Sequence, residues 1–465
     1  MIYVKFNSQQ LDIMLEEHHA FYYSGITKSA KFRIEQLEVL KKTIKKYETE
    51  VIEALYKDLR KSEFESYTTE IGLIYESISN MNKNLEHWMQ PKQVKTPMAL
   101  MPSKSQIISE PYGTVLIIAP FNYPFQLVME PLIGAIAGGN CAMIKPSETT
   151  PHTTNIVKKI VAEAFHPHYI RVVEGEKEET SLLIHAPFDF IFFTGSVNVG
   201  KVVMEAASKR LTPIALELGG KSPAIVDHTA NLDLAAKRII WGKLVNAGQT
   251  CIAPDYLLVE EPVKDKLIEK LQEAIHHFYG ENVQESTDYG RIVNTKHFKR
   301  LQKMIVQEKD QIIFGGKSDK EDLYIEPTIL DGVQFSSPSM QEEIFGPILP
   351  VITYKELPDI IRQIRKFPKP LAAYMFSEHE GAQNYFLEEL SFGGGCINDT
   401  IMHAGSAHLP FGGVGNSGMG AYHGLASFEL FTHQKSIVKK STTIPLNVAF
   451  PPYKNKIKLV RSLLK

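Results

Sequence analysis

Five short apolar runs between Thr114 and Gly220 leave few folds open to this chain: "TVLIIAP", "CAMIKP", "IRVVEG", "FDFIFFTG" and "PIALELGG". Continuous apolar runs without period-two alternation read as strands buried on both faces. The segments between them are long enough for a helix that crosses back over the sheet. That rhythm predicts parallel βαβ units in a doubly wound sheet. A second alternation follows Gly220, with strand candidates at "SPAIVD", "YLLVEE", "QIIFGG", "PILPVITY", "LAAYMF" and "GGGCIND", and helical stretches such as "VKDKLIEKLQEAIHHFY" between them. This predicts a second α/β domain. From Ser29 to Met89 apolar residues recur at helical spacing among Lys and Glu, which predicts an amphipathic helical scaffold. The late stretch "SFELFTHQKSIVKKST" reads as β-like, available to pair elsewhere or with a partner chain.

Composition narrows the function. At 465 residues the chain is expected to divide into two or three domains, and a net charge of -2 supplies no basic field for nucleic acid. Its three cysteines, Cys141, Cys251 and Cys396, cannot all pair and have neither zinc-site nor redox-pair spacing. Free thiols in a reducing cytoplasm and no metal site are therefore expected. The longest apolar region is interrupted by Pro120, Pro124, Glu130 and Pro131, so no integral membrane segment is expected. The N-terminus lacks a basic region followed by an apolar run, the mark of a signal peptide. The tail "KNKIKLVRSLLK" is expected as a solvated helix or loop, the alternative being a segment that lies on a membrane surface.

Cys141 opens an apolar strand and reads as a small buried hydrophobe. Cys251 differs, because "NAGQTCIAPD" surrounds it with turn-forming and polar residues. A thiol is nucleophilic as thiolate, and with a pKa near ~8.5 it needs help from its site at neutral pH. Attack on a carbonyl makes an oxyanion that needs fixed donors. Asn122, in "IIAPFNYPF" beyond the first strand, is one candidate, the alternative being a turn residue. Glu217, at an apolar strand end in "ALELGGK", is a candidate base, the alternative being a structural ion pair with a Lys. Gly195 and Ser196, with Gly200 in the following helix, form a strand-to-helix turn where a pyrophosphate can lie, the alternative being an ordinary βα turn. The spacing is neither the dinucleotide fingerprint nor a Walker loop. Lys145 and Glu148, past another strand end, suit ribose hydroxyls or form a solvated surface pair.

In order along the chain, "PFNYPF", "KPSE", "FFTGSVNVG", "LELGGKSP", "NAGQTCIAPD", "EEIFGP" and "LPFGGVGNSGMGAYHG" resemble the aldehyde dehydrogenase superfamily, over residues 20 to 440. The resemblance implies an α/β fold with a Rossmann-like cofactor domain (1–89 and 114–217), an α/β catalytic domain (218–424), a small bridging β element for oligomerisation (90–113 and 425–450) and a tail (451–465). It implies Cys251 as nucleophile, Glu217 as general base, and Asn122 with the Cys251 N–H as oxyanion hole. Lys145 and Glu148 then fall at the adenosine ribose, Gly195, Ser196 and Gly200 at the pyrophosphate turn, and Glu343 and Phe345 beside the nicotinamide. The activity implied is oxidation of an aldehyde through a thioester to the acid.

Within the superfamily "GQTCIAPDY", "RIVNTKHFKRL" and "PPYKNK" resemble class 3, which implies a homodimer, NAD with NADP tolerated, and aliphatic, aromatic or polyene aldehydes. Phe121 departs from the usual Trp, and the apolar C-terminal anchor of some fatty-aldehyde members is absent. Tyr123, Ile397, Met402 and His403 are tunnel candidates as well as core candidates. Three rival readings carry their own signs. A CoA-acylating enzyme often lacks an acid at the position of Glu217, a cysteine hydrolase needs a His partner that no motif supplies, and a non-catalytic binding protein with the same fold would not need every site position filled.

Overall fold

In the computed structural model, which describes residues 6–443 and 450–463, the five apolar runs lie side by side in one sheet. Its order is Gly418–Met419, Ile214–Leu218, Phe190–Gly195, Thr114–Ile118, Cys141–Lys145, Ile170–Val172. The five long runs are all parallel, and in chain order they follow the doubly wound sequence 3-2-1-4-5. Helices Gln126–Gly138, Pro151–Ala164, Lys177–His185 and Val197–Ser208 make the crossovers. The strand order reverses between Thr114–Ile118 and Phe190–Gly195, so a crevice opens beyond their carboxyl ends. In register, Ile118 stands beside both Lys145 and Phe193, and Gly195 beside Leu218.

A second sheet runs Ile312–Phe314, Thr328–Leu330, Ile348–Tyr354, Tyr256–Glu260, Pro223–Val226, Ala372–Phe376, Gly394–Ile397, parallel except at the first pair. Only residues 219–222 separate the strand that ends at Leu218 from the one that starts at Pro223. The carboxyl edge of the first sheet therefore lies next to the amino edge of the second. Gly418–Met419 returns to pair antiparallel with Ile214–Leu218, setting Gly418 opposite Glu217.

A third, antiparallel sheet joins Lys92–Val94, Ser103–Pro111 and Thr432–Lys440. One expectation needs correction here. "SFEL" belongs to helix Gly424–Leu430, and the strand begins only at Thr432. Phe428 packs toward Trp88, and Phe431 against Phe190 and Phe192, so burial of the aromatic rings decides the local conformation. Residues 444–449 of the expected bridging segment, and 464–465 of the tail, lie outside the described residues. No described helix is long and apolar enough to cross a membrane.

Helix Gln126–Gly138 is buried along its whole length, beneath helices Ala30–Lys46 and Gly72–Trp88. Its carboxyl end meets a buried cation. Arg33 donates to the carbonyls of Ala137 (2.7 Å) and Thr27 (2.7 Å). Both acceptors, the Ala137 carbonyl also lying at the negative end of the helix dipole, offset the cost of burying the charge. Gly139 ends the helix at φ 89°, and a Cβ there would come within 2.3 Å of the guanidinium. Arg33→Met should therefore lower stability by about 2–3 kcal/mol in urea unfolding, from lost charged bonds and an uncapped carbonyl. A change below about 0.5 kcal/mol would show that the clamp is dispensable.

Candidate active site

The turn that carries Cys251 is made of residues in an unusual conformation. Asn246, Ala247 and Gly248 have φ of 53°, 51° and 77°, three left-handed residues in succession. For a residue with a Cβ this costs roughly 1–2 kcal/mol, so neighbours must hold it. The Asn246 side chain donates to the carbonyls of Asn122 (2.7 Å) and Gln249 (3.1 Å), and its backbone N–H donates to Glu65 Oε1 (2.8 Å). Gln249 donates to the Arg291 carbonyl (2.9 Å) and accepts from the Val293 N–H (3.0 Å). Gly248 runs so close to another loop that a Cβ would sit 2.4 Å from the Gly346 carbonyl oxygen. Each letter of "NAGQ" except Ala247 thus has a local reason.

Asn122 lies past the end of strand Thr114–Ile118, at the point where the strand order reverses. Besides Asn246, its carbonyl accepts from Lys61 Nζ (3.0 Å). Lys61 forms a fully buried ion pair with Glu70. Glu70 also accepts the N–H groups of Phe125 (2.9 Å) and Gln126 (3.1 Å) where helix Gln126–Gly138 begins. Tyr123 OH and Thr250 Oγ1 are bonded at 2.7 Å. Lys61, Glu65 and Glu70 were missed in the sequence, because they sit within a charged amphipathic region with no local mark that sets them apart.

Glu217 is buried on strand Ile214–Leu218 beside Thr194, and neither carboxyl oxygen has a hydrogen-bond partner. The structural ion pair considered for it is absent among the described residues. Burial raises its pKa well above the usual carboxyl range. Burial, with the Glu343 and Glu217 carboxylates, pushes the Cys251 thiol up to about 12.

Two cavities meet at these groups. One, of about 740 Å³, is lined by Tyr123, Trp241, Ile252, Phe278, Met402 and Phe411 among others. The other, of about 560 Å³, is lined by Asn122, Gly195, Ser196, Glu343 and Phe345. Cys251, Glu217, Thr194, Leu127 and Leu218 line both. A thiol with access from two cavities suits a reaction in which two molecules meet at one sulfur.

The second cavity has the features that a dinucleotide needs. Gly195–Asn198 brings the start of helix Val197–Ser208 into its wall, so free N–H groups and the positive end of the dipole are available to a pyrophosphate. Glu343 is packed against Gly219, where a Cβ would fall 2.1 Å from its carboxylate. The "EEIFGP" loop is held by Lys221, which donates to the carbonyls of Ser339 (2.8 Å) and Glu342 (3.0 Å), and by Asp255, which accepts from the Ile344 N–H (2.9 Å). Phe345, at φ 49°, meets Phe121 edge-on with centroids 5.7 Å apart.

Not every predicted residue arrives there. Lys145, Glu148 and Gly200 line neither cavity. Lys145 is buried and bonded at 2.6 Å to the half-exposed Glu148, at the end of the strand beside Ile118. Gly200 lets its helix approach Leu218, whose Cδ2 would lie 2.7 Å from a Cβ. Met402 and Tyr123 line the first cavity, whereas Ile397 and His403 do not. His403 packs between the rings of Tyr374 and Phe411, with Nδ1 3.6 Å from Cys396 Sγ. Cys141 is fully buried.

The model of the aldehyde dehydrogenase family matches residues 10–437. The chain is 56% identical over 446 residues to the 4,4'-diaponeurosporen-aldehyde dehydrogenase of Staphylococcus aureus, covering 96% of this chain and 97% of that one. It is 44% identical over 418 residues to the dimeric NADP-preferring aldehyde dehydrogenase of Rattus norvegicus, covering 90% and 92%. A solved substrate-bound state of Staphylococcus aureus AldH superposes with a TM-score of 0.96 at 55% identity, covering 98% of this chain and 99% of that one.

The raised thiol pKa has a measurable consequence. Below its pKa the thiolate fraction grows about tenfold per pH unit. Alkylation of Cys251 by iodoacetamide in the free protein, followed by peptide mass spectrometry, should accelerate with that slope from pH 7 to about pH 10. A plateau at or below pH 9 would contradict the assigned environment.

Proposed function

The chain belongs to the aldehyde dehydrogenase family, an oxidoreductase that acts on aldehydes with NAD(P), and on that premise we propose that it oxidises long apolar aldehydes, polyene aldehydes among them, to their acids. The observation that carries this reading is the pair of cavities sharing Cys251 and Glu217, one of them walled largely by apolar and aromatic side chains. The named Staphylococcus aureus relative acts on a polyene aldehyde, which supports the same substrate class.

In this reading the Cys251 proton passes through Glu217, which lines the same two cavities, to solvent, and Sγ adds as thiolate to the carbonyl carbon from the first cavity. The carbonyl oxygen becomes an anion received by the Asn122 side chain and the Cys251 N–H, each such donor contributing about 3–4 kcal/mol at the transition state. Gly195, Ser196, Glu343 and Phe345 would hold the dinucleotide, with Lys145 and Glu148, outside the cavity, toward its adenosine ribose, and it would supply the acceptor for the hydride that leaves the carbonyl carbon as the oxyanion collapses. A thioester then remains on Cys251. Glu217, with its proton affinity raised by burial, takes a proton from the water that releases the acid. Retention of this acid favours hydrolysis over transfer to CoA.

NAD is the preferred cofactor and NADP is tolerated, because Glu148 repels a 2'-phosphate while Lys145 attracts one. Residues 1–89 with 114–217 bind the dinucleotide, 218–424 carry the catalytic turn, and 90–113 with 425–450 join two protomers in a homodimer. With free thiols throughout, the enzyme works in the cytoplasm.

Cys251→Ala should abolish NAD(P)H formation while nucleotide binding persists, and Glu217→Gln should accumulate an acyl adduct on Cys251 detectable by intact-protein mass. Turnover by Cys251→Ala, or unimpeded acid release by Glu217→Gln, would overturn the roles assigned. Across straight-chain aldehydes kcat/KM should rise with chain length. A preference for the shortest would contradict the apolar-substrate reading.

A further inference from the structure

We propose that Glu65 is a positioning residue for the nucleophile: standing in the wall of the aldehyde cavity, its carboxylate fixes the backbone of Asn246 and so aligns Cys251 with the Asn122 loop. This rests on the reading of Cys251 as nucleophile given above.

Glu65 lies on the short helix Glu63–Ser66, capped by Ser62, far in sequence from the turn it meets. It lines the larger cavity and accepts the Asn246 N–H at 2.8 Å. Asn246 is fully buried, and its side-chain amide already serves Asn122 and Gln249. Without Glu65 the N–H that opens the left-handed run would be buried without a partner, and the run has little local preference for its conformation. Bonds to an ionised acceptor are roughly twice as strong as neutral ones. An apolar substrate that fills the cavity displaces water from this bond and strengthens it.

The groups facing the carboxyl are Lys61, Glu70, Asp288, Tyr123 and Tyr279, with His277 also in the cavity wall. Burial outweighs the Lys61 attraction and raises its pKa to about 7. The sign is set by that raised value. The anion, and with it the stronger bond, is present above about pH 7 and is lost as pH falls through it.

The test compares full-length wild type with Glu65→Ala and Glu65→Gln. At pH 8, Glu65→Ala should lose at least about tenfold in kcat with KM changed by less than about threefold. Glu65→Gln, which keeps an uncharged acceptor, should fall between. The ratio of wild-type to Glu65→Gln kcat/KM should approach one below about pH 6. Amide exchange across residues 246–251 should quicken about tenfold in Glu65→Ala, while NAD(P)H binding is retained as a fold control. An unchanged kcat, a loss confined to KM, a ratio flat with pH, or unaltered exchange would overturn the proposal. If Glu65→Ala does not fold, the Glu65→Gln ratio decides. A wild type that oxidises no aldehyde would instead refute the function proposed above, and amide exchange would still test this inference.

Discussion

The Asn246 side chain joins two loops that belong to different sheets. By donating to the Asn122 carbonyl it ties the turn before Cys251, which leads into the second sheet, to the loop beyond the first strand of the first. The sheets also abut where residues 219–222 carry the chain directly from the carboxyl edge of one to the amino edge of the other. Continuity of the backbone sets the coarse distance between thiol and carboxyl. The buried set of Lys61, Glu70, Asn122 and Asn246 sets the fine one. A buried ion pair of this kind contributes little net stability, but removing one partner leaves an uncompensated charge, so it serves geometry more than folding energy.

Around this junction several local rules are broken together. Asn246, Ala247 and Phe345 occupy left-handed conformations, and Glu217 and Lys243 are buried without hydrogen-bond partners among the described residues. Burial lowers the Lys243 pKa to about 8 and raises that of Glu343 to about 8. Groups whose two protonation states are close in energy near neutral pH can pass protons at small cost. The same low-dielectric setting pushes the Cys251 thiol pKa up. Strain and unpaired polarity are tolerated because the flanking strands are packed on both faces.

How much of this was legible follows from the range of each interaction. Buried parallel strands betray themselves by composition, so the strands of the first sheet and the second alternation could be read directly, as could the polar turn around Cys251. Glu217 stood out because an acid at an apolar strand end is costly. Lys61, Glu65 and Glu70 did not, since Lys61 and Glu70 pair nine residues apart, outside the i,i+4 spacing of a helix, and their other partners are distant backbone atoms no letter encodes. "SFEL" looked like strand by composition, and tertiary packing of Phe428 and Phe431 overrode it. Gly200 was legible as part of a strand-to-helix turn, but its close approach to Leu218 was not, because that contact is tertiary.

The central claim is that aldehyde and dinucleotide reach one sulfur from separate cavities. A crystal structure of Cys251→Ala with NAD and a long-chain aldehyde tests it most directly. The account predicts the alkyl chain along Tyr123, Trp241 and Phe278, the nicotinamide beside Glu343 and Phe345, and the carbonyl carbon over residue 251 between them. Both ligands in a single cavity, or an aldehyde bound away from residue 251, would contradict it.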